Sequence, residues 1–180
     1  MNFIAWTIIA CEIGFWVVIL LGLITRYIVK RERLGLFFLA LTPAIDLVLL
    51  AVTATDLYNG ATATTVHAIA AIYLGASIAF GKSMIQWADE KFLYYIQKKG
   101  TKPVRKTGMK YARHSMKGTL QHLLAYIIGG GLLFALIYFI DDPSRSEVLW
   151  STLKFWGLIL GIDFVISISY YIWPRTVRTK

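Results

Sequence analysis

Five long apolar runs most constrain what this chain can fold into. They extend over residues 3–27, 34–57, 64–85, 120–140 and 148–173. A helix rises about 1.5 Å per residue, so about 20 apolar residues cross the roughly 30 Å hydrocarbon layer of a bilayer. Only 16% of the 180 residues are charged, which is low for a soluble domain. The sequence therefore predicts an all-α, polytopic membrane helix bundle with five transmembrane helices in a single domain.

The distribution of positive charge predicts how this bundle is oriented. With five spans, all Lys and Arg residues except Lys82, Arg145 and Lys154 fall next to the same side of the membrane. Lys and Arg near span ends favour the cytoplasmic side. We therefore expect the N-terminus outside and the C-terminus in the cytoplasm, with the chain in the bacterial cell membrane.

The segment between the third and fourth spans, residues 86–118, is predicted to be a cytoplasmic helix followed by a basic linker. Its first part mixes aromatic and charged residues, which is typical of a helical extension at the membrane interface. Its positive charges either attract anionic lipid, at about 1 kcal/mol per charge, or only set the topology. The net charge of +9 is not accompanied by a nucleic-acid-binding motif, so no nucleic acid is expected. The candidate headgroup contacts are Lys98, Lys99, Lys102, Arg105, Lys106 and Lys110.

Three acidic residues inside the apolar spans are the main functional candidates. Glu12, Asp46 and Asp163 lie at comparable depths near the middle of their spans. An ionised residue there costs at least about 2.5–3.5 kcal/mol, so it usually faces the bundle interior or a cavity. If the three helices are neighbours, the carboxylates form a proton or cation site. Otherwise each protonated acid is a hydrogen-bonding contact between helices.

Other polar residues accompany these acids. His67 lies close in depth to Asp56 and is a candidate proton acceptor, and Lys82 is a cation that can neutralise an acid. Pro43 is expected to kink the second span near Asp46. A polar stripe on one face of that span consists of Thr42, Asp46, Thr53 and Asp56.

Glycines indicate where helices approach closely. Gly129, Gly130 and Gly131 occur in the middle of the fourth span, and Gly75 lies in a small-residue region of the third. Small residues allow close packing of membrane helices, whereas three successive glycines can also form a hinge.

Motifs for catalysis and metal binding are missing from the sequence. The single cysteine, Cys11, excludes an internal disulfide and a cysteine metal cluster. The sequence contains no phosphate-binding loop, zinc helix motif or nucleophile elbow. We therefore expect no cofactor, no metal and no catalytic residues, and the sequence does not indicate an enzyme.

The opening segment from Trp6 to Trp16 and the region around Asp46 resemble small uncharacterised integral membrane proteins of Bacillus-type bacteria. The resemblance extends over the whole chain. It implies a membrane location and carries no activity from which a residue's role follows.

Three functions remain open at this point. The first is a proton- or cation-linked transporter or channel subunit, with the three buried acids reached from outside past Asp56 and His67. The second is a non-catalytic scaffold or regulatory subunit that binds anionic lipid or a membrane partner protein. The third is a lipid-handling enzyme that uses Asp89, Glu90 and His122. Association of several copies would give the first alternative a wider pore.

Overall fold

The computed structural model describes residues 3–95, 98 and 107–174. These residues form six helices and no strand, and five helical segments are long and apolar enough to cross a membrane because the second and third helices together cross once. The predicted five-span, all-α fold is therefore confirmed. The helices are α1 (Phe3–Tyr27), α2 (Glu32–Ala40), α3 (Thr42–Tyr58), α4 (Thr65–Tyr95), α5 (Gly108–Ile140) and α6 (Pro143–Ile172).

The two ends of the bundle differ in their connections. At one end, which we call the short-loop end, residues 59–64 join α3 to α4 and residues 141–142 join α5 to α6. The opposite end holds Arg26, Asp89 and most of the Lys and Arg residues that the structure describes, and we call it the basic end. Helices α1, α4 and α6 run from the short-loop end to the basic end.

Packing follows a chain of neighbours. Helix α1 packs on α2 and α3, α3 packs on α4, α4 packs on α5, and α5 packs on α6. A buried apolar cluster that includes Leu57, Ala68, Leu133 and Leu149 joins α3, α4, α5 and α6 in the half of the bundle nearer the short-loop end. The bundle is therefore most tightly closed in that half.

The second span is interrupted at Leu41, where α2 ends and α3 begins. Pro43 has no N–H to donate to the preceding turn, and it disfavours helical geometry in the residue before it. The Thr42 hydroxyl instead donates to the Leu39 carbonyl oxygen at 2.8 Å. Leu41 keeps helical φ and ψ of −76° and −18°, and its carbonyl oxygen accepts from the Ile45 N–H at 3.0 Å, so the helix is interrupted at this single residue next to Thr42 and Pro43.

The predicted boundaries were wrong at the start of two helices. Helix α5 begins at Gly108, so residues 108–118 do not belong to the linker. Ala112 is fully buried and the Tyr111 ring packs edge-on against Tyr170, so contact with α6 outweighs the charged composition of this segment. Helix α6 begins at Pro143 rather than near residue 148, because the Asp142 carboxylate caps it. The helical extension of the third span is confirmed as far as Tyr95.

Candidate functional site

Asp46 is the most deeply buried of the candidate acids whose side chains the structure describes. It is 1% exposed, and the Ser77 hydroxyl of α4 donates a hydrogen bond to its Oδ2. A cavity of about 50 Å³ lies beside it, bordered by Cys11 and Tyr73 among other residues. This volume is enough for a water molecule. Glu12 follows Cys11 on α1, but its side chain lies outside the described residues.

Asp56 and His67 form a pair at the short-loop end. The Thr64 N–H donates to His67 Nδ1 at 3.1 Å, and His67 Nε2 lies 3.1 Å from Asp56 Oδ2. Because Nδ1 accepts from the backbone, the ring proton belongs on Nε2 and is donated to Asp56. Arg145 holds the same loop through its Nη2, which donates to the Leu57 carbonyl oxygen at 2.6 Å. The Asp56–His67 pair, together with Arg145, therefore fixes the connection between α3 and α4.

Two members of the predicted polar stripe of α3, Asp46 and Asp56, face α4. Asp46 and Thr53 are both buried, and both Asp46 and Asp56 bond to α4. The Thr53 hydroxyl has no hydrogen-bond partner among the described residues. Leu49 and Leu50 are buried between the Asp46 and Thr53 positions. The stripe thus consists of separate polar contacts with apolar side chains between them.

Asp163 has a different partner, on a different helix. Its Oδ2 lies 2.8 Å from Nδ1 of His122 on α5, and the two side chains are 31% and 52% exposed. Farther towards the basic end, the Ser167 hydroxyl lies 2.6 Å from the Thr119 hydroxyl and 2.9 Å from the Ser115 hydroxyl. Asp163 therefore belongs to a row of polar side chains that bond α5 to α6, whereas Asp46 belongs to the contact between α3 and α4.

These placements separate the sequence-predicted candidates. Among the described residues, no three His, Cys, Asp or Glu side chains are grouped so that they could hold a metal ion. Lys82 is exposed and forms no ion pair with a described residue. The structure brings Asp56 together with His67, but it leaves Asp46 and Asp163 at separate helix contacts.

An ion pair between α1 and α4 was missed from the sequence. Arg26 donates from Nε to Asp89 Oδ1 at 2.8 Å and from Nη2 to Oδ2 at 2.5 Å, and the Tyr27 hydroxyl donates to the same carboxylate at 2.6 Å. The available signal was that Arg26 and Asp89 occur at similar intervals from the starts of two parallel helices. Of the three residues of the enzyme hypothesis, Asp89 bonds Arg26 and His122 bonds Asp163, and neither bonds Glu90.

A cleft of about 580 Å³, lined by both polar and apolar residues, lies between α4 and α5 at the basic end, and we call it the α4–α5 cleft. The two helices touch at Gly75 and Gly129, farther from the basic end than the cleft. Gln121 marks the inner end of the cleft by donating to the Ser83 hydroxyl at 3.1 Å. Its charged and titratable side chains are Glu90, His114 and Lys117.

The predicted headgroup contacts lie at this same end as far as the structure describes them. Lys98 and Lys110 are exposed, whereas Lys99, Lys102, Arg105 and Lys106 lie outside the described residues. Lys117, which was not among the predicted contacts, lines the cleft directly. The signal for it was its position in the basic segment, which was assigned to a linker and not to a helix face.

Comparison with known proteins agrees with this architecture. The chain is 63% identical over 180 residues to the uncharacterized membrane protein YmcC of Bacillus subtilis (strain 168). The aligned region covers 100% of this chain and 97% of the relative. The chain belongs to the YmcC family. It is a multi-pass bacterial membrane protein, as the five spans indicate. No family model and no solved structure matches it.

Proposed function

We propose that this chain is a non-catalytic membrane subunit that binds phospholipid at its basic end, with that end in the cytoplasm. The observation that supports this function is the α4–α5 cleft. Its volume of about 580 Å³ lies within the range of small-molecule sites. The candidate acids, by contrast, each bond to a neighbouring side chain wherever the structure describes them.

Charge favours a phosphate-containing ligand at this end. Lys117 lines the cleft, and the exposed Lys98 and Lys110 lie at the same end of the bundle. A positive charge near an anionic membrane surface contributes about 1 kcal/mol. At the cytoplasmic surface of the membrane, where the proposal places the basic end, lipid phosphates are concentrated. The cleft and the surrounding lysines would therefore be next to the phosphate groups that they bind.

The test is native mass spectrometry of the detergent-purified protein titrated with phosphatidylglycerol. Lys117→Gln should weaken binding about fivefold, the equivalent of about 1 kcal/mol. Lys154→Gln is the matched control, because Lys154 is exposed on α6 and lies over the Trp150 ring, away from the basic end. Equal affinity in the wild-type protein and both variants would refute lipid binding by the cleft.

A proton- or cation-linked transporter is the second candidate, favoured by the surroundings of Asp46. The buried carboxyl borders a cavity and lies close to the break at Leu41, and broken helices next to buried acids occur in transporters. Protein in liposomes should then conduct protons or cations, and Asp46→Asn should abolish the flux. Flux unchanged by this substitution would eliminate Asp46 as the site. If the chain is only a lipid-binding subunit, no flux is expected and Asp46→Asn should bind lipid normally.

A further inference from the structure

A second cavity adjoins the α4–α5 cleft on the other side of α4. It is an apolar crevice of about 230 Å³ between α1 and α4, which we call the α1–α4 crevice. Ile19 and Leu23 of α1, Leu39 of α2 and Ile85 of α4 contribute to its walls. On α4 the crevice is lined from Ser77 to Ala88 and the cleft from Ser83 to Glu90, so the crevice reaches farther from the basic end than the cleft does.

The cleft and the crevice share two lining residues. Met84 and Trp87 of α4 border both cavities, and they are 62% and 63% exposed. These two exposed side chains therefore border both a cavity lined by charged residues and a mainly apolar one. A ligand that extends past Met84 and Trp87 from one cavity into the other would place polar groups on one side of α4 and hydrocarbon on the other.

We propose that one phospholipid with a phosphate–amine headgroup occupies both cavities, with its headgroup in the α4–α5 cleft and an acyl chain in the α1–α4 crevice. This inference rests on the proposed function, because it uses the same cleft, and it adds the identity of the headgroup and the position of the chain. One cavity is lined by charged residues and its neighbour is mainly apolar, which is the pattern that an amphiphilic ligand requires.

The charges of the cleft specify the headgroup. Glu90 and Lys117 both line it, and neither forms an ion pair with a described residue. A headgroup that carried only negative charge would be repelled by the Glu90 carboxylate. A phosphate–amine headgroup satisfies both residues, with Lys117 at the phosphate and Glu90 at the ammonium.

The crevice has a defined width because α1 is fastened to α4 at two levels. The rings of Phe15 and Tyr73 are stacked, with centroids 5.9 Å apart, and the Arg26–Asp89 pair joins the helices at the basic end. Gly81 lines the crevice between these two levels, and a Cβ added there would meet nothing within 4 Å. The space that an acyl chain would use is therefore open beside Gly81.

Two pairs of matched variants test the two halves of this site. Gly81→Leu fills the crevice, and Gly161→Leu is its control because Gly161 is exposed on α6 and also has nothing within 4 Å. Glu90→Gln removes the charge proposed to bind the amine, and Glu147→Gln removes an exposed charge near the short-loop end. Thermal unfolding in detergent establishes that each variant is folded.

The measurement is native mass spectrometry with dioleoyl phosphatidylethanolamine and dioleoyl phosphatidylglycerol. The wild-type protein should bind the ethanolamine lipid about fivefold more tightly, and Glu90→Gln should remove this preference. Gly81→Leu should weaken binding of both lipids about tenfold, since it displaces the chain and leaves the headgroup site intact. Gly161→Leu and Glu147→Gln should behave like the wild-type protein.

The outcomes separate this inference from the proposed function. If Lys117→Gln weakens binding but Gly81→Leu does not, the cleft binds lipid and the place given to the acyl chain is wrong. A preference for phosphatidylglycerol would overturn the phosphate–amine headgroup. Competition by water-soluble phosphoethanolamine at the concentration of the lipid itself would show that the crevice contributes nothing. If neither Lys117→Gln nor Gly81→Leu changes binding, both proposals fail.

Discussion

The crossing of α4 and α5 at Gly75 gives the sharpest prediction about stability. A Cβ added at Gly75 would lie 2.6 Å from the Ala125 carbonyl oxygen and 2.8 Å from the Gly129 nitrogen. Ordinary contacts of a Cβ begin at 3.4 Å, so the first distance is 0.8 Å too short. Both clashing atoms belong to the backbone of α5, so Gly75→Ala requires the two helices to move apart.

Separation by this amount weakens every contact at the crossing. A gap of about 0.5–1 Å forfeits a quarter to a half of each dispersion contact, and overpacking substitutions typically cost about 1–3 kcal/mol. Replacing glycine with alanine within a helix returns up to about 1 kcal/mol. We therefore expect Gly75→Ala to lower the free energy of unfolding by about 1–2 kcal/mol.

Gly131→Ala is the matched control, since Gly131 lies in α5 and a Cβ there would meet nothing within 4 Å. It should leave the free energy of unfolding unchanged or raise it by up to about 1 kcal/mol. The measurement is denaturant unfolding of both variants in mixed micelles. Equal effects of the two substitutions would refute the argument from close packing and favour a hinge in the glycine triplet of α5.

The remaining predictions concern α1, α6 and the orientation of the chain. Asp89→Asn should lower the free energy of unfolding by about 2 kcal/mol, because it leaves the largely buried guanidinium of Arg26 without its charged partner; an unchanged unfolding curve would contradict this. Hydrogen bonds from Ser144 hold the pKa of Asp142 below its usual range, so its stabilisation of α6 is present above the unfolded value of about 3.9 and is lost as the pH falls through the lower folded value. Melting curves of the wild-type protein and of Asp142→Asn should therefore differ in their pH dependence only under acidic conditions. Single cysteines at Asn59 and Lys98 in a cysteine-free variant should react with an impermeant maleimide from outside the cell at Asn59 only, and the reverse result would invert the orientation.

Much of the fold was predictable because the bilayer imposes it. A chain that crosses hydrocarbon must satisfy its backbone hydrogen bonds within each helix, so apolar runs of sufficient length identify the spans. The break at Leu41 followed from Pro43, whose effect is local. The start of α5 did not follow, because residues 108–118 are helical through contacts with α6, which local composition does not encode.

The candidate site was less predictable because depth in the membrane does not determine which helices are neighbours. Asp46 and Asp163 were correctly placed inside spans, but Asp46 bonds to α4 and Asp163 to α5. The sequence did show polar residues at helical spacing on α6, namely Asp163 and Ser167. Their partners on α5, which are His122, Thr119 and Ser115, also recur at helical spacing. Without the helix arrangement, these two sets of residues could not be matched to each other.

The junction of α1 with α4 connects packing to the proposed lipid site. Helices α4 and α5 approach closely enough to exclude a Cβ. Helices α1 and α4 are separated by a crevice and, among the described residues, are held by a ring stack and by the bonds of Arg26 and Tyr27 to Asp89. A ligand that binds only the folded state stabilises it by RT ln(1 + L/Kd), where L is the free ligand concentration. A lipid chain in the crevice would therefore supply contacts that the protein itself does not make between these helices. On this argument the attachment of α1 depends on the lipid composition of the membrane, whereas the contact between α4 and α5 does not.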